Sequence, residues 1–101
     1  MDKIERVSKM EKILGEHRDV LQPLLDALKA YEEHQEAFNE LMEYYSSQDW
    51  FDDLEASNKG EIPEDIPQGV LSEDAVFDMY GENRDVAIEL LKTATKVLSN
   101  E

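Results

Sequence analysis

The stretch Leu14–Leu28, LGEHRDVLQPLLDAL, decides what kind of fold this chain adopts. Its apolar side chains keep a seven-residue rhythm through Gly15 and Pro23, two residue types that often end helices. Outward from it, the same rhythm runs from Ile4 to Tyr45. One set of positions reads Val7, Leu14, Leu21, Leu28, Gln35 and Met42; the set three residues on reads Met10, His17, Leu24, Tyr31, Phe38 and Tyr45. This is the a and d pattern of a helix that faces a bundle or a coiled coil. Two readings stand. One ends a first helix near Gly15 and restarts with Asp19 as N-cap, Gln22 in a capping box and Pro23 in the tolerant first turn. That gives a three-helix bundle with a turn near residues 15–22. The other keeps one long helix over about 2–46, kinked where Pro23 leaves the Asp19 carbonyl without a backbone donor. A chain reversal has no reason to preserve the heptad phase, which favours the long helix.

The choice bears on function. A helix of roughly 44 residues rises ~65 Å, about twice what a C-terminal helix could cover. The N-terminal half then exposes Ile4, Val7, Met10, Leu14 and Leu21, a stripe that calls for a homodimer or a partner helix. Opposite charges at i,i+4 spacing, such as Asp2/Arg6, Glu5/Lys9, Lys12/Glu16 and Lys29/Glu33, add a few tenths of a kcal/mol each. Glu32, Glu36, Glu40 and Glu43 line another face, read first as solvated and second as a ridge for a basic partner.

Past Tyr45 the rhythm stops. The connector, about 47–71, holds Trp50 and Phe51 directly after Tyr44 and Tyr45, and two of the three prolines. Ser46, Ser47, Gln48 and Asp49 break the helix, and Asp52, Asp53 and Glu55 begin a short helical turn. Lys59–Gly60 is a turn signal. Pro63 and Pro67 push Ile62 and Ile66 into extended geometry, and their spacing tucks both inward. Tyr44, Tyr45, Trp50 and Phe51 are expected to pack with Ile62, Ile66, Val70, Leu71 and Phe77 as a staple; a recognition surface is the other reading. Ser72 is the best helix start in the chain, with Glu73 and Asp74 placed to complement the helix dipole. A C-terminal helix over about 73–98, packing antiparallel, carries the stripe Ala75, Val76, Met79, Tyr80, Ala87, Leu90, Leu91, Ala94, Val97 and Leu98. Its phase continues through Gly81, so one helix is expected.

The run Tyr44-Tyr45, Trp50, Asp53, Gly60, Pro63, Asp65 and then GVLSEDA over 69–75 resembles a family of small bacterial proteins, the domain-of-unknown-function 4298 family. The likeness covers nearly the whole chain, most specifically the connector. A basic residue often precedes GVLSED in that family, where this chain has Pro67-Gln68; Pro23 and Gly81 are further departures. The resemblance implies a helical fold and no activity.

Composition excludes several functions. With 25 acidic and 10 basic residues the net charge is −15, so the basic footprint that nucleic acid or an anionic membrane needs is missing. Residues 1–18 are balanced, at about +1, and the rest of the chain carries about −16. There is no cysteine, hence no disulfide and no thiolate chemistry. The N-terminus interleaves charges every second or third residue, so neither a signal segment nor a membrane span is expected, and the cytoplasm is the default compartment. Leu14 and Tyr31 stand three residues before His17 and His34, where a di-metal bundle needs Glu-x-x-His. A calcium loop on Gly60 would put Lys59 at its fifth position and Ile66 at its twelfth. Ser72 is not in a nucleophile elbow. Neither enzyme activity nor a cofactor is expected, with a loose divalent-ion site on Asp52, Asp53 and Asp65 as a remote alternative.

These readings describe a single helical domain over 1–101, an acidic interaction or structural module acting as a homodimer. The alternative is an inhibitor or adaptor that takes a basic protein through the connector. Tyr45, Trp50, Phe51, Asp53, Glu36 and Glu40 are the candidate interaction residues.

Overall fold

The computed structural model describes residues 2–101. It is all-α: helices α1 (Lys3–Tyr45), α2 (Gln48–Asn58) and α3 (Glu73–Ser99), with one 3-10 turn at Gly69–Leu71 before α3. The chain divides into two units, residues up to Glu40 and residues from Leu41 onward.

The first unit is helix alone. Asp2 starts it, its carboxylate accepting from the Glu5 backbone N–H at 2.8 Å, which satisfies one of the donors that a helix start leaves orphaned. The long-helix reading holds, because α1 passes through both Gly15 and Pro23. Two features make this tolerable. Pro23 removes a single backbone donor, and Asp19, whose carbonyl loses it, is exposed rather than buried. Gln22 also bonds the Asp26 carboxylate at 2.9 Å across the proline. Of the expected i,i+4 pairs, Lys12–Glu16 sits at 4.0 Å with both side chains well exposed, so it adds little. No residue of α1 is buried.

The second unit holds the core, which consists of Trp50, Leu71 and Val76. α1 ends at Tyr45, where the Ser46 and Ser47 hydroxyls turn back onto the Met42 and Tyr44 carbonyls. Serines that compete for backbone carbonyls favour an end over a continuation. The next element, α2, is a full helix of 11 residues, not the short turn that the sequence suggests. Its register explains why: Trp50 and Leu54 stand four apart, one buried and one half-buried, which gives QDWFDDLEASN an inward edge despite its helix-poor Asp, Ser and Asn. α2 closes on Gly60, the only residue at positive φ among those described (74°). The Glu61 N–H bonds the Ala56 carbonyl and the Gly60 N–H bonds the Ser57 carbonyl. This is a Schellman closure, in which the left-handed position is normally glycine.

α3 starts as expected. The Ser72 hydroxyl accepts from the Ala75 N–H at 3.0 Å, and the helix continues through Gly81 to Ser99. Of its apolar stripe, Val76, near its start, is buried, while Met79, Tyr80, Leu91, Val97 and Leu98 are exposed.

Candidate functional site

The connector is tied by polar side chains that reach backbone carbonyls and one another. Adjacent tyrosines at the end of α1 reach different elements. The Tyr44 hydroxyl donates to the Asp53 carboxylate on α2 at 2.7 Å. The Tyr45 hydroxyl donates to the Glu73 carbonyl at the start of α3, at 3.0 Å. Trp50 lies edge-on to Tyr45, with ring centres 5.3 Å apart, and edge-on to Phe51 at 5.1 Å. Its indole N–H donates to the Val70 carbonyl at 2.9 Å, so the apolar ring is buried with its one donor satisfied.

A second tie holds the proline loop. The Gln68 side chain accepts from the Ser57 hydroxyl and donates to the Pro63 carbonyl, while the Ile66 N–H bonds the same Pro63 carbonyl at 3.0 Å. One amide thus joins the end of α2 to the loop after it. Sequence reasoning missed this residue. Its only sign is a side chain with both donor and acceptor next to Pro67, which has no N–H.

Burial comes first in raising the Tyr44 phenol, then its hydrogen bond to Asp53 and the negative charges of Asp53 and Asp49; together they push it up to about 12. Raising an acid's pKa this way keeps the phenol a donor across the ordinary pH range.

The structure places the candidate residues in three settings. Tyr45 and Asp53 are half-buried within the connector ties, and Trp50 is buried at 5 % exposure, which takes it out of any surface contact. Phe51 is 58 % exposed. Glu36 and Glu40 lie on the other unit, both exposed, and Glu36 lines a shallow depression on α1 with Lys29, Glu32 and Glu33. The staple expected from sequence is therefore smaller than anticipated. Leu71 is buried and Ile62 and Val70 are half-buried, but Phe51, Ile66 and Phe77 point to solvent. The reason for Phe77 is helical geometry: Val76 takes the inward position, and the next residue sits about 100° away. Among the described residues, no group of three His, Asp or Glu side chains is placed to hold a metal ion.

The stripe Ile4, Val7, Met10, Leu14 and Leu21 is uncovered along its length, at 72, 65, 54, 47 and 50 % exposure. Ile13, Val20, Leu24, Leu25 and Leu28 widen it. No helix is long and apolar enough to cross a membrane among the described residues.

An all-α chain with a tied helical connector between two longer helices is the class of protein this architecture defines. The chain belongs to the family described as a domain of unknown function (DUF4298), whose model matches residues 7–93. That span takes in the connector, both α2 and its glycine closure, and most of α1 and α3. No curated protein matches the chain.

Proposed function

We propose that this protein is a non-catalytic interaction and structural module that works as a homodimer, joined along the α1 stripe of Ile4, Val7, Met10, Leu14 and Leu21. The observation that carries the reading is the ten large apolar side chains between Ile4 and Leu28, all exposed on one helix. An apolar strip this continuous marks an association surface. Burying one leucine contributes ~1.5–3 kcal/mol, so even a few layers outweigh the cost of bringing two chains together at micromolar concentration. The connector supports the non-catalytic part. Its Tyr44, Trp50, Ser57, Gln68 and Ser72 side chains are engaged in holding backbone and one another.

Light scattering at micromolar concentration tests it. Twice the chain mass is expected, with Leu14→Asp dropping the mass to one chain. A monomeric wild-type protein would remove the reading.

A second reading has one observation in its favour: Phe51 is exposed between Asp49 and Asp52 on α2, while the exposed Glu36 and Glu40 form a separate acidic face on the other unit. An acidic surface with an aromatic anchor suits a basic protein partner. It predicts capture that weakens with salt and with Glu36→Lys plus Glu40→Lys; capture indifferent to both would end it.

A further inference from the structure

The α1 stripe is self-complementary in one direction and one register. We infer that two copies pair antiparallel over residues 3–28, with the two-fold axis between Gly15 and Glu16. This rests on the homodimer proposed above and adds its geometry. In an antiparallel pair, a positions meet d positions, e meets e and g meets g, and each contact occurs twice because the interface is isologous. With the axis at Gly15/Glu16, Val7 of one copy lies against Leu24 of the second, Met10 against Leu21, and Leu14 against His17. The flanks then agree as well. Ile4 meets Leu25 and Ile13 meets Val20, apolar with apolar, while Glu11 meets Arg18, opposite charge with opposite charge.

Other arrangements fail on these same side chains. Sliding by one heptad in one direction sets Arg18 against Arg18; in the other it sets Glu11 against Glu11. Parallel pairing, where g meets the following e, places Ile13 against Arg18 and Ala27 against Glu32, an apolar side chain against a charge in each case. The antiparallel register leaves Glu32 outside the paired stretch. The charge-balanced part of the chain and the exposed apolar part coincide in the segment that would be covered.

The native chain has no cysteine, which makes directed cross-linking clean. Met10→Cys and Leu21→Cys are prepared separately, mixed, exchanged and oxidised. The inference expects a mixed disulfide between the two variants and no disulfide dimer from either alone. A Met10→Cys disulfide dimer formed alone would overturn the orientation and leave the homodimer standing. No disulfide from any sample, with wild type at dimer mass, would move the interface elsewhere and overturn the inference. Monomeric wild type would remove the homodimer reading itself. Exposed charge reversals provide a test that spares the core. Glu11→Arg or Arg18→Glu alone should weaken dimerisation on the order of tenfold, and the double variant should restore it. A double variant as weak as the singles would overturn the pairing.

Discussion

Trp50 shows how one side chain sets the connector. It is buried, edge-on to two aromatic rings, and its N–H is engaged by the Val70 carbonyl. Trp50→Phe keeps most of the ring but leaves that carbonyl without its partner, and should cost ~1–3 kcal/mol; urea unfolding with an unchanged slope is the measurement. Tyr44 makes a pH prediction. Its phenol titrates near 10 in an unfolded chain and near 12 here. Its contribution is therefore full below pH 10 and is lost as pH rises from 10 through about 12, because only the unfolded chain ionises in that window. Stability of Tyr44→Phe should show a flatter decline there, measured by denaturant midpoints from about pH 9 to 12. The heptad rhythm sets Tyr45 apart from Tyr44, but it does not give the partner of either hydroxyl. Both are expected in the same cluster, and their partners, a carboxylate and a backbone carbonyl, separate them.

Elements are legible in the sequence to the extent that their signals are periodic. α1 can be read from its heptads, and Ser72 from its residue type, since a serine before two acidic residues has one obvious use. α2 is hidden because its apolar period spans a single step, Trp50 to Leu54, among residues that favour turns. Phe51, Ile66 and Phe77 depart from the expected staple for a related reason: hydrophobicity indicates a tendency to be buried, and helix phase or loop path decides which of two neighbours achieves it. Gly60 is legible as a turn, and the structure adds that it closes α2 in the left-handed region, at φ 74°. Space is open around its Cα, so Gly60→Ala meets no clash and registers backbone strain alone. It should destabilise the protein by ~1–2 kcal/mol, read as a lowered midpoint with the helical signal of the folded state unchanged.

For the whole molecule, the buried set of Trp50, Leu71 and Val76 is small against the apolar surface left open on α1 and α3. Much of the stability should accordingly come from association, and thermal unfolding should depend on concentration. A tenfold dilution should lower the midpoint by a few degrees, and Leu14→Asp should abolish the dependence. Calorimetry at two or three concentrations reads this directly. The family assignment covers residues 7–93, as the resemblance carried by the connector motif implies.

The chain has a single tryptophan, and it sits at the centre of the tied connector with its indole N–H bonded. The protein therefore carries its own optical reporter, at a position outside the proposed paired segment. Intrinsic fluorescence excited at the red edge describes only the surroundings of Trp50, whereas far-ultraviolet dichroism is dominated by the two long helices. Should dilution separate the copies before the connector opens, the dichroism would fall while the emission stayed blue. Two spectra from one unlabelled sample would thus resolve dissociation from unfolding.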